Sequence, residues 1–272
     1  LLPSPYWVSY PEQIMMAGGK PVIVETKEED GFKLRIEDLE KAKSEKTHVL
    51  ILNSPNNPTG TVYEGKELEK IANWCLENDI FVISDEIYEK LVYDVEHISI
   101  ASFPNMKERT LVVNGMSKTY SMTGWRIGYG AGPKELIEAM GRIQDHTTSN
   151  PTSFAQIGAL VALDLQEEVQ QMVDTFRRRR EILLNELKEI PNISIVPPMG
   201  AFYAFPNVSY YLKKMGGNST EELATYLLER AGVAVVPGEG FGANGYVRLS
   251  FAVSEEDIRN GIRQMKEALL AL

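Results

Sequence analysis

The chain has 272 residues, 43% of them hydrophobic and 24% charged, which is globular composition with apolar mass for one large domain or two smaller ones. A net charge of −10 and a pI near 5.0 argue against a nucleic-acid partner, and no apolar run reaches the roughly 18 residues of a membrane helix. The single cysteine, Cys75, excludes an intrachain disulfide framework. His48, His97 and His146 lie far apart without nearby cysteines, which argues against a zinc site.

The first residues, L-L-P-S-P-Y-W, lack a methionine and start as though in mid-domain, so an N-terminal part is expected to be missing. No signal peptide precedes the first strand, and a cytoplasmic protein is expected. Short β-branched runs at residues 22–25, 49–52, 81–84 and 111–113 alternate with helical patterns, the signature of a mostly parallel α/β sheet flanked by helices. Residues 64–78 carry apolar side chains three and four apart, predicting a crossover helix with Cys75 on its core side.

The strand-like run at 125–130 follows its predecessor too closely for a helix between them, so it is expected to pair antiparallel or at another place in the sheet. Residues 134–143 read as a helix, and 161–189 as one long helical stretch broken by Pro191. Its run Arg177 to Arg180 reads as a solvated or salt-bridged face. Beyond it, V-P-P-M-G-A-F-Y-A-F, a helix, G-V-A-V-V-P-G and Y-V-R-L-S-F-A suggest a smaller α+β domain. The expected division is 1–165 as a large domain, 166–189 as an interdomain helix and 190–272 as the small domain.

Ligands of open α/β sheets gather at the carboxyl ends of the strands. There the chain places N-S-P-N-N-P-T-G (residues 53–60), then D-E-I-Y from Asp85 to Tyr88, then N-G-M-S-K ending at Lys118. Each has a bland explanation: turn chemistry for the first, an N-cap for a helix E-I-Y-E-K-L at Asp85, simple exposure for Lys118. Together they converge on one edge. A lysine in a partly dry pocket can act as an imine-forming nucleophile, and the ligand that would use all these groups is pyridoxal 5'-phosphate. Asp85 suits its ring nitrogen, Tyr88 and Asn57 its ring oxygen, and Arg126 with Ser117 its phosphate. The loop G-E-G-F-G-A (residues 238–243) has dinucleotide-fingerprint spacing, but a strand rather than a helix is expected after it, which disfavours a nicotinamide or flavin enzyme.

P-Y-W-V-S-Y, N-S-P-N-N-P-T-G, S-D-E-I-Y and S-K-T-Y-S-M-T-G-W-R-I-G-Y occur in that order. With them the chain resembles class I aminotransferases, pyridoxal-phosphate enzymes of the aspartate aminotransferase fold, over essentially its whole length and most closely in their bacterial aspartate branch. The resemblance implies that Lys118 is the Schiff-base lysine and proton shuttle, and that Asp85 pairs with the pyridinium nitrogen. Tyr88 and Asn57 would bond the ring oxygen, Arg126 and Ser117 the phosphate, and Trp7 would stack on the ring. Arg248 would grip the substrate's α-carboxylate beside Asn57, with G-A-F-Y (residues 200–203) lining the same side, and Ser149-Asn150-Pro151 would approach the partner's site.

It further implies a homodimer with sites at its interface, and transfer of an amino group between an amino acid and a 2-oxo acid, aspartate and 2-oxoglutarate being the favoured pair. The alternatives are an aromatic or alanine aminotransferase, a cystathionine-type β-lyase, or a non-catalytic binding protein of this fold. Gly115 stands where many relatives have a serine, so one phosphate contact must come from elsewhere. The family's N-terminal portion has no counterpart here; a chain that began at Leu1 would be expected to bind the cofactor weakly and show little activity.

Overall fold

The structure, a computed structural model, describes all 272 residues. In chain order its elements begin with β1 (Leu2–Ser4), α1 (Ser9–Met16), β2 (Ile23–Glu25), α2 (Ile36–Ala42), β3 (Val49–Asn53) and α3 (Gly65–Glu77). Next come β4 (Phe81–Asp85), β5 (Thr110–Gly115), β6 (Gly128–Ala131), α4 (Lys134–Thr147), α5 (Ser153–Ala162) and α6 (Gln166–Lys188). The chain ends with β7 (Tyr203–Ala204), α7 (Ser209–Met215), α8 (Thr220–Ala231), β8 (Val236–Pro237), β9 (Val247–Ser250) and α9 (Glu255–Ala271). No helix is long and apolar enough to cross a membrane.

Two compact units form. One comprises Leu1, Arg35–Pro55 and Val62–Val173, the other Leu2–Leu34, Asn56–Thr61 and Asp174–Leu272. These units run differently from the expected division at residues 165 and 189. Burial explains the difference, because Phe32, near the end of the first segment, packs into the Phe205–Phe241 cluster and carries that segment into the C-terminal unit.

In the first unit β3, β4 and β5 pair parallel and β6 closes the order β3-β4-β5-β6 antiparallel, so the α/β architecture with a mostly parallel sheet is as expected. The crossover helix α3 starts at a capping box in which Glu64 and Glu67 each bond the other's backbone N–H. It buries Leu68, Ile71, Ala72, Trp74 and Cys75. Burial pushes the Cys75 thiol up to about 12, which leaves it an inert core residue. The register pairs Asn53 with Asp85 and Asp85 with Val113, so β3 and β4 end level, β5 runs two residues further, and the polar loops of all three leave one edge.

One helical expectation changes, and the alternative of a helix after Asp85 falls. The stretch 161–189 is not one helix: α5 ends at Ala162, and turns through Asp164 and Leu165 lead into α6. Helical spacing survives the break because Ala162 and Val169 are buried on either side of it, which hides the turn from periodicity. Residues after Asp85 form turns rather than a helix: the Glu89 N–H donates to the Glu86 carbonyl and the Leu91 N–H to that of Tyr88. Asp85 therefore caps a turn, its Oδ1 accepting from the Ile87 N–H at 3.1 Å.

The second unit holds the antiparallel sheet β7-β9-β8 with helices α7, α8 and α9, the expected α+β arrangement on shorter strands. Its core stacks Phe205 on Tyr246 at 5.1 Å, with Phe32 and Phe241 set edge-on to Phe205 at 6.1 and 5.9 Å. In the arginine run, Arg177 pairs with Asp174 at 2.9 Å and Arg178 with Glu255 at 3.6 Å, while Arg180 Nε donates to the Pro198 carbonyl.

Candidate active site

In the first unit the polar groups stand where the parallel strands end. Asn53 is buried, and its Nδ2 donates to the Asp85 carbonyl at 3.0 Å, while the Ser54 N–H donates to that carbonyl at 3.1 Å. Two bonds from the neighbouring strand thus fix the Asp85 backbone, and the Ile87 amide fixes its carboxylate. Tyr88, three residues on, is 3% exposed.

The β5 strand delivers Lys118 on a tight turn. Tyr120 and Met122 N–H groups donate to the Met116 carbonyl and the Ser121 N–H to that of Lys118, so the lysine and Ser117 are half-buried rather than solvated. Small residues are required here. A Cβ on Gly115 would lie 2.9 Å from Gly128 Cα and from the Ile127 carbonyl oxygen, so β5 and β6 close up at this point. Arg126 adopts left-handed backbone at φ 57° and is exposed. Its guanidinium donates to the Thr123 carbonyl at 2.9 Å, and the Thr123 hydroxyl donates to the Ser117 carbonyl at 3.0 Å, tying this cation to the lysine turn.

In the second unit Arg248 projects from β9 into an aromatic slot, its guanidinium carbon 4.4 Å from the Tyr203 ring centre and 5.0 Å from that of Phe241. One terminal nitrogen donates to Asn57 Oδ1 at 3.0 Å, and its buried Nε has no partner. A cation so placed has no acid beside it, unlike a surface ion pair, and retains donors for an incoming carboxylate. Asn57 is held by its loop. The Asn56 side chain accepts from the Thr59 N–H and hydroxyl, and the Gly60 carbonyl accepts from the Met199 and Gly200 N–H groups.

Trp7 belongs to this unit as well, 36% exposed and edge-on to Tyr10 at 5.3 Å. Its segment is bound on both sides: the Tyr6 N–H donates to the Phe241 carbonyl and Asn56 Nδ2 to that of Pro5. The structure thus brings Asp85, Tyr88, Ser117, Lys118 and Arg126 onto one unit and Trp7, Asn57 and Arg248 onto the other. Tyr203 lines Arg248 as G-A-F-Y was expected to; Phe241 does so unforeseen. The sequence showed Phe241 only inside G-E-G-F-G-A, which is a 3-10 turn from Gly238 to Phe241 followed by β9, without the helix a dinucleotide site needs.

The donor set fits pyridoxal phosphate: a carboxylate, a phenol, an amine, and an exposed guanidinium with donors beyond the one spent on Thr123. The family model for aminotransferase class I and II matches residues 1–265. An Aquifex aeolicus protein named "Probable aspartate/prephenate aminotransferase" is 52% identical over 99% of this chain and 69% of its own length. The aspartate aminotransferase of Bacillus subtilis is 48% identical over 98% of this chain and 68% of its own. The crystal structure of an aromatic aminotransferase from Pyrococcus horikoshii superposes with a TM-score of 0.95 at 42% identity, covering 99% of this chain and 72% of that one. On this convergence of strand-end chemistry, matched sequence and superposed fold, the chain belongs to the class I and II aminotransferase family.

Proposed function

We propose that the protein transfers an amino group between L-aspartate and 2-oxoglutarate with pyridoxal phosphate as its cofactor. The observation that supports the reaction type is the parallel pairing of β4 and β5, which delivers Asp85 and Lys118 on backbone-fixed turns at the same end of the sheet. When bound, the cofactor supplies an aldehyde carbon for the amino group and a ring that takes up the electron pair left by the departing α-proton.

The residues divide the remaining work. Lys118 Nζ would hold the cofactor and then, once freed, carry the proton taken from the α-carbon. Asp85 would keep the proton on the ring nitrogen, and Tyr88 and Asn57 would bond the ring oxygen. Arg126 and Ser117 would hold the phosphate, Trp7 would offer a flat face to the ring, and Arg248 would orient the α-carboxylate through its free donors. The names of the Aquifex and Bacillus relatives favour aspartate. The Pyrococcus superposition supports an aromatic donor as the second reading.

Adding pyridoxal phosphate to the protein is expected to give a visible absorbance band that borohydride bleaches and that Lys118→Ala abolishes; absence of the band overturns the assignment. Comparing kcat/KM for aspartate, tyrosine and alanine with 2-oxoglutarate separates the donors, and pyruvate release from cystathionine would mark a β-lyase instead. A homodimer is part of the same reading, supported by Phe154, Ile157 and Leu160, which stand 70, 63 and 62% exposed on α5. Light scattering at working concentration checks it. A cytoplasmic location accords with the lone reduced cysteine, Cys75.

A further inference from the structure

The S-D-E-I-Y stretch carries two adjacent carboxylates with opposite surroundings. Strand alternation sends Ser84 and Glu86 to the face opposite Asp85. Glu86 is only 2% exposed, and three side chains donate to it: Ser84 Oγ to Oε1 at 2.8 Å, Ser99 Oγ to Oε1 at 2.6 Å and His97 Nε2 to Oε2 at 3.0 Å. Its own N–H donates to the Val113 carbonyl, prolonging the ladder between β4 and β5. Glu89 also brings a carboxylate oxygen within 4.8 Å of the Glu86 and His97 ligand atoms. Burial pushes the Glu86 carboxyl up, but the bonds from His97, Ser99 and Ser84 together outweigh it and hold it below the usual carboxylate range.

A buried carboxylate is a costly choice for packing alone, because an apolar side chain of similar volume fills space without desolvating a charge. What the charge adds is direction. Glu86 cannot rotate without abandoning three donors, and the turn it begins runs through Ile87, whose N–H holds the Asp85 carboxylate, to Tyr88. We infer that Glu86, held by His97, Ser99 and Ser84, is a positioning residue that aims Asp85 and Tyr88 at the cofactor ring. The inference rests on the assignment of Asp85 and Tyr88 to that ring.

The test uses the protein loaded with pyridoxal phosphate and follows the pH midpoint of the bound cofactor's visible band together with kcat and KM. Glu86→Ala is expected to lower kcat by about 10- to 100-fold with a smaller change in KM, since slight misaim costs that much. The band midpoint is expected to move by about one pH unit as the groups around the ring shift. Glu86→Gln should recover most of both, its amide oxygen accepting from both serines and its amide N–H donating to His97 in the other tautomer. Ser99→Ala and His97→Ala, milder cuts in the same network, give the same reading if Glu86→Ala does not fold. Folded variants with an unshifted midpoint and unchanged kcat overturn the inference alone. No band in the unsubstituted protein overturns the assignment of Asp85 and Tyr88, and this inference with it.

Discussion

The two units build their functional groups in opposite ways. In the first, Asp85, Ser117 and Lys118 lie within a few residues of strand ends, and backbone bonds between neighbouring strands set their positions. In the second, Trp7, Asn57 and Arg248 come from three separate stretches of chain, and Arg248 reaches Asn57 across 191 residues of sequence. The first is a product of sheet register and the second of side-chain clasping around an aromatic core. Register tolerates changes at a loop tip, whereas a clasp depends on each of its members.

The sharpest break between them is kinetic. Asp85→Asn keeps the shape of the turn but removes the charge that would hold the ring proton, so kcat is expected to fall by about 10²- to 10³-fold with substrate KM little changed. Arg248→Lys keeps the charge but loses the planar fork and its contact with Tyr203 and Phe241. It is expected to raise KM for amino and oxo acids alike by about 10- to 100-fold, with pyridoxal phosphate affinity retained. Steady-state kinetics and cofactor titration on both variants check the split. If Arg248→Lys instead released the cofactor, the division of labour would be wrong.

A middle-sized effect is expected where the second unit's loop is clamped. Gly60 has φ +71°, and a Cβ there would lie 2.3 Å from Pro198 Cβ and 2.8 Å from the Gly200 carbonyl oxygen. Gly60→Ala therefore combines left-handed strain with overpacking, costing about 2–4 kcal/mol in denaturant unfolding. Because the Gly60 carbonyl receives the Met199 and Gly200 N–H groups, the displaced loop should carry Asn57 with it and raise substrate KM. An unfolding midpoint equal to the parent's would show that the loop yields and that the clasp is softer than its geometry implies.

The same contrast decides what the sequence made legible. Strand ends could be read because β-branched runs stop at residues with turn chemistry, so Asn53, Asp85 and Lys118 were found from local pattern alone. The grouping of Trp7 with Arg248 could not, because it depends on Phe32 entering a core made by Phe205 and Phe241, and no periodicity reports such a contact. The helix after Asp85, weighed as the bland alternative there, is absent for a related reason. E-I-Y-E-K-L has helical propensity, but the inward pull on Glu86 by Ser84, Ser99 and His97 overrides it. The break between α5 and α6 stayed hidden because apolar spacing continues through it. Gly115 was visible as a departure from the family, while its cause, the close approach of Gly128, needed the strand pairing.

The smallest expected effect lies at alkaline pH, where among the late-ionising groups one in each unit is pushed up to about 12. Tyr246 in the second unit donates its hydroxyl to Glu28 Oε2 at 2.9 Å, and burial, then that bond and the Glu28 charge, push it up to about 12 from 10.0. Cys75 in the first is pushed up to about 12 from 9.0 by burial. Both folded values are raised, so the stability each group contributes is whole below its unfolded value and is lost as pH rises through its folded one. The loss begins near pH 9 for Cys75 and near pH 10 for Tyr246, and both are complete at about pH 12. Melting temperatures across this range should therefore fall less steeply above about pH 10 in Tyr246→Phe, which keeps the ring on Phe205 but has no proton to lose, while the onset near pH 9 persists. Cys75→Ala should remove that earlier onset and leave the later one. A Tyr246→Phe profile parallel to the parent's through pH 12 would mean that burial and the Glu28 bond together do not hold the Tyr246 proton in solution.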